Sequence, residues 1–87
     1  MKTNDFEILH TALTEMESTP QCEGLEVGLG YACDKLSIPV DVEHHKEIMD
    51  FYGRHRAKLA AAFREGKPRF LAVCEACAER DTAEAQA

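Results

Sequence analysis

The longest unbroken pattern in this chain runs from Asp41 to Gly66, and it fixes the spine of any fold the chain adopts. At 100° per residue, Glu43, Lys46, Glu47, Asp50, Arg54, Lys58, Arg64 and Glu65 fall on one arc. Ile48, Met49, Phe51, Tyr52, Leu59, Ala60 and Phe63 fill the opposite arc. Asp41 stands where an N-cap is needed, Glu43 and Glu47 suit the positive end of the helix dipole, and Gly66 with Pro68 stops the run. The spacing predicts one amphipathic helix of about six turns, longer than the average globular helix. Such a helix is either the centre of the fold or half of a contact between two copies.

The flanking segments are shorter. Asn4 followed by Glu7 has the form of a capping box, and Phe6, Leu9, Leu13 and Met16 then share one helical face until Ser18-Thr19-Pro20. This predicts a helix over about 5–18. In "LEVGLGYAC" the period changes: Leu25, Val27, Leu29, Tyr31 and Cys33 alternate with Glu26, Gly28, Gly30 and Ala32, the mark of a strand. Its nearly bare face leaves room for a helix to approach. "LSIPVDV" alternates again at Leu36, Ile38, Val40 and Val42, so Asp34-Lys35 joins two strands, and Pro39 confines the second to a sheet edge. "GLEVGLG" is set aside as a phosphate loop, because it lacks both the Walker lysine and a strand-to-helix context.

The last segment, "RFLAVCEACAER", has two readings. Either a turn at Cys74 and Cys77 leads into an alanine-rich helix, or Pro68 opens one continuous helix with Phe70, Cys74, Cys77 and Ala78 on one face. The expected fold is a single α-dominated α+β domain over residues 1–87. It has an N-terminal helix, a short β-hairpin, a long amphipathic helix, a C-x-x-C turn and a C-terminal helix frayed over about 82–87.

The chain has 87 residues, 45% hydrophobic and 30% charged, a globular composition. A domain this small buries only about 60–65% of its unfolded surface, so a metal or a partner often supplements the core. No apolar run approaches the roughly 18–20 residues that span a bilayer. "MKTNDFEIL" places acidic residues where a signal peptide has its apolar core, which points to an intracellular, cytoplasmic protein. There, four cysteines serve as thiols or metal ligands rather than as a disulfide framework.

A C-x-x-C spacing lets two thiolates reach one tetrahedral zinc, and a helix starting just after them favours their negative charge. Residues 69–82 resemble the second knuckle of treble-clef-type zinc-binding domains, in which an apolar strand, C-x-x-C and a helix follow in that order. Those domains usually supply a second C-x-x-C; here Cys22 and Cys33 lie ten residues apart instead. The economical ligand set is Cys22, Cys33, Cys74 and Cys77, around a closed structural zinc site, with His44 or His55 as possible substitutes for one of the first pair. The alternative is four small buried side chains. A redox dithiol lacks the thioredoxin-like surroundings. His44, His45 and His55 all project toward the apolar half of the long helix, but adjacent His44 and His45 diverge by 100° and do not form an H-x-x-x-H pair. Without a nucleophile elbow, an H-E-x-x-H motif or an acid–base pair tied to a pocket, an enzyme is not expected.

The net charge of −6 is uneven. Residues 1–45 carry nine acidic and two basic side chains, whereas 46–69 carry three acidic and seven basic. These features predict a zinc-stabilised module that binds another protein. The alternative is an acidic inhibitor or regulator that blocks nucleic-acid machinery by protein binding, similar in size and charge to phage anti-CRISPR and host-takeover proteins. Direct nucleic-acid binding is disfavoured by the overall charge. No membrane partner is expected, and a homodimer through the long helix is compatible with its broad apolar arc.

Overall fold

The computed structural model describes residues 3–86, and among them it contains five α-helices and no strand. They are α1 (Thr3–Ser18), α2 (Leu25–Lys35), α3 (Val42–Arg54), α4 (Arg56–Arg64) and α5 (Lys67–Gln86). The α+β expectation is thereby corrected to an all-helical fold. Its shortest dimension is 19 Å, about two helix diameters, so the helices lie in two layers around a shared core.

The face expected for α1 is buried: Phe6, Leu9 and Leu13, joined by Ile8 and Ala12. The helix already includes Thr3, so Asn4 lies within the first turn rather than capping it. At the other end, the Thr19 amide donates to the Glu15 carbonyl at 2.8 Å and the Cys22 amide to the Thr19 carbonyl at 3.0 Å, turning the chain at Pro20.

The expected β-hairpin is replaced by α2 and an irregular connection. Along α2 the buried residues are Gly28, Leu29, Ala32 and Cys33, with Leu25 partly buried beside them. That set follows i, i+3, i+4, i+7, i+8, one stripe of a helix. Val27 and Tyr31, which alternation assigned to the same face, are 45% and 40% exposed. The alternation arises because Leu25, Leu29 and Cys33 are spaced by four on one face and Val27 and Tyr31 by four on another. Two of the four buried residues, Gly28 and Ala32, are small and carry little hydrophobic signal of their own. A Cβ on Gly28 would stand 2.9 Å from the Ala12 carbonyl oxygen and 3.1 Å from Met16 Cγ. The bare face therefore does receive a helix closely, but from within a helical pair, α1 against α2.

The second expected strand is the end of α2 and a linker. The Ile38 amide donates to the Cys33 carbonyl at 2.9 Å and the Ser37 amide to the Asp34 carbonyl at 3.2 Å. This is a Schellman closure, with Ser37 in the left-handed region at φ 56°. Ile38 packs onto the core, and the chain continues through Pro39 to Asp41, whose carboxylate caps α3 by accepting from the His44 amide at 3.2 Å.

The long helix is likewise corrected to two, α3 and α4, meeting at His55 (φ −118°, ψ 21°). The helical ladder persists around this residue, because its amide reaches the Phe51 carbonyl at 3.2 Å and its carbonyl accepts from the Leu59 amide at 2.9 Å. The joint is a kink, placed two residues after Gly53, the weakest helix former of the run. The apolar arc of both halves is covered inside the chain, with Ile48, Phe51 and Leu59 fully buried. Gly66, at φ 110°, ends α4 and makes the turn into α5, and Pro68 occupies its first turn. The C-x-x-C turn is thereby corrected too: Cys74 and Cys77 sit inside continuous helix, as the alternative reading of Pro68 implied. The α5 helix lies against α4 and α1, closing the core around Phe70.

Candidate functional site

The four cysteines occupy three different settings. Cys74 and Cys77, one turn apart on α5, belong to the main core cluster, at 0% and 4% exposure. Cys33 is buried at the C-terminal end of α2, where its sulfur lies 3.1 Å from His45 Nε2. Cys22 sits in the α1–α2 connection, its sulfur 3.8 Å from the Gly24 carbonyl oxygen. All four are free thiols. Burial, reinforced by Cys77 and Glu75 nearby, pushes the Cys74 thiol up to about 12, so at neutral pH it keeps its proton. Burial also raises the Cys33 thiol. Among the described residues, no three His, Cys, Asp or Glu side chains are grouped so as to hold a metal ion.

The histidines do something that sequence reasoning missed. Each of the three on or next to α3 reaches a polar partner on a different helix. His44 Nε2 meets Asp5 of α1, His45 Nε2 meets Cys33 of α2, and His55 Nε2 lies 2.9 Å from Asp81 Oδ1 of α5. The same Asp81 carboxylate accepts from Arg54 at 2.9 Å. The His55 hydrogen bond, with Arg54 adding to it, holds this carboxyl below the usual range. Asp5, buried at 4%, is partnered by a histidine 39 residues away, a distance at which no local pattern could reveal it. Cys33 and His45 stand at the separation of a nucleophile–base pair, but both are buried and the thiol is pushed up, so the contact packs α2 on α3.

What the fold leaves open is an apolar edge. Val27, Tyr31, Leu36, Val40 and Val42 are the large hydrophobic side chains exposed among the described residues, and all lie within residues 27–42. Val40 and Val42 are the most open, at 63% and 65%. Exposed Glu23, Glu26, Asp34, Asp41 and Glu43 punctuate the same stretch. The one cation there, Lys35, is engaged with the buried carboxylate of Glu15. This edge sits where the sequence placed a β-hairpin, so its side chains were assigned to a sheet face and only the strand edge at Pro39 was expected to lie open to a partner. No helix among the described residues is long and apolar enough to cross a membrane. No family model, curated protein or solved structure matches the chain.

Proposed function

We propose that this chain is a protein-interaction module that docks through residues 27–42 onto a protein surface with an apolar seat and a basic rim. One observation carries the reading: the large hydrophobic side chains that the fold leaves exposed are gathered on a single acidic segment. Scattered exposed apolar residues are ordinary, but clustering at a polar-rimmed edge marks interaction sites. The apolar centre supplies the contact energy, and the acidic rim selects a Lys/Arg-bearing partner and speeds the encounter. Pro39 fixes the linker beside Val40, and Val42 is held in the first turn of α3 behind its Asp41 cap, which limits the ordering that binding demands.

The edge is tested with a Val40→Lys/Val42→Lys variant, both positions being too exposed for the change to disturb the core. Crosslinked captures by wild type are compared with those by the variant and by a Glu79→Gln control on α5, away from residues 27–42. The expected result is a partner that wild type and control retain, that added salt weakens, and that the double variant loses. Equal capture by all three proteins removes the reading. If the captured partner is a nucleic-acid-binding protein, displacement of its nucleic acid by the module distinguishes the inhibitor alternative from simple docking, and the −7 charge of residues 1–45 is the property that would compete. This reading does not require zinc. A metal at Cys22, Cys33, Cys74 and Cys77 is a separate proposal supported by the Cys74–Cys77 spacing, and native mass spectrometry of protein purified without added metal decides it while also reading the oligomeric state.

A further inference from the structure

The seam between α4 and α5 carries a feature opposite in sign to the rest of the molecule. Two adjoining depressions there, of about 320 and 220 Å3, share Lys58 and Arg80 in their walls. Arg54, His55 and the Glu84 carboxylate line the first and Arg69 the second, while Ala57, Ala72 and Ala76 keep the floor low. The cations of this trough are weakly neutralised. Arg80 and Arg69 meet only i,i+4 carboxylates, Glu84 and Glu65, each at 3.7 Å on exposed positions. Lys58 pairs with no carboxylate among the described residues. Arg54 and His55 already share Asp81 and stand at one end as a fixed wall.

We infer that the α4–α5 trough binds a small diphosphate-bearing anion, held chiefly by Lys58, Arg69 and Arg80. Guanidinium groups match phosphate oxygens in paired hydrogen bonds, and an ammonium supplies a point charge between them. The depressions are several times the roughly 30 Å3 of a liquid water, enough for a diphosphate. A long polyanion is disfavoured, since beyond a Debye length of about 8–10 Å it leaves the trough and meets a chain whose net charge is −6. This site uses different residues from the apolar edge, so either can fail without the other.

The test is an amide NMR titration of the full chain with inorganic pyrophosphate, and separately with adenosine diphosphate, at low ionic strength. Saturable shifts concentrated in residues 54–58 and 69–84 are expected, with binding weakened about tenfold or more in Lys58→Gln/Arg80→Gln and unchanged in Lys46→Gln. Similar affinity for the two ligands assigns recognition to the phosphates, and tighter binding of the nucleotide adds a base contact. Absence of saturation by about 10 mM, shifts spread evenly over the chain, or equal binding by the double variant overturns the inference. So does tighter binding of a single-stranded oligonucleotide than of either diphosphate. The amide spectrum of the free double variant shows directly whether its fold is retained.

Discussion

Two glycines two residues apart on α2 have opposite roles, and the same substitution separates them. At Gly28 a methyl group would press into the backbone carbonyl of Ala12, which cannot swing aside as a side chain does. The resulting displacement of α1 from α2 outweighs the gain of about 1 kcal/mol that alanine brings to a helix interior. Gly28→Ala is therefore expected to destabilise by about 1–3 kcal/mol. At Gly30 a Cβ would meet nothing within 4 Å, so only the backbone contribution remains, and Gly30→Ala is expected to stabilise by about 0.5–1 kcal/mol. Urea unfolding midpoints of the two variants should move to opposite sides of wild type, and a shift in the same direction would show that α1 and α2 are not this close.

At the scale of elements, α3 is fastened by its histidines. The Ile48 and Phe51 stripe buries it on the core, and His44, His45 and His55 fix it to α1, α2 and α5. Asp81 is where this can be read most directly, since its carboxylate ties α5 to the α3–α4 kink. Its pKa lies below the unfolded value, first because His55 hydrogen-bonds it and then because of Arg54. A group with a lowered folded pKa contributes stability that is complete above its unfolded value, 3.8 here, and lost as pH falls through the folded value. Asp81→Asn is expected to cost about 0.5–1 kcal/mol at pH 7, the range of a partly exposed pair, and close to nothing near pH 2. A constant difference between the two proteins across that range would mean the loss is one of packing. The elements also show what was legible. Asp41 as a cap and Gly66-Pro68 as a break are local chemistry and were readable. The identity of α2 was not, because Gly28 and Ala32 are buried by the approach of α1 and not by their own hydrophobicity. The cysteines gave spacing but no location. The Asp5–His44 and Asp81–His55 contacts exist only once three helices have folded together.

For the molecule as a whole, acid should act in two stages, and the first belongs to a residue that the sequence left without a role. His10 projects from α1 between α4 and α5, its ring centre 5.2 Å from that of Phe63 and 5.4 Å from that of Phe70. Burial there, with Lys67 nearby, lowers its pKa from 6.5, and Glu7 offsets this only in part. The folded state thus binds this proton less readily than the unfolded chain does, so its stability is complete above pH 6.5 and declines as pH falls through the lower folded value. Glu15, lowered by its pairing with Lys35, and Asp81 add their losses only below 4.5 and 3.8. Melting temperature measured from pH 8 to pH 3 should accordingly begin to fall below pH 6.5 and steepen below pH 4.5. His10→Gln, which keeps a polar side chain of similar reach but cannot take up a proton, should remove most of the first decline and leave the second. If the variant and wild type fall in parallel between pH 6.5 and 5, the first stage lies elsewhere, and the packing of His10 between the two phenylalanines carries no linkage to acid.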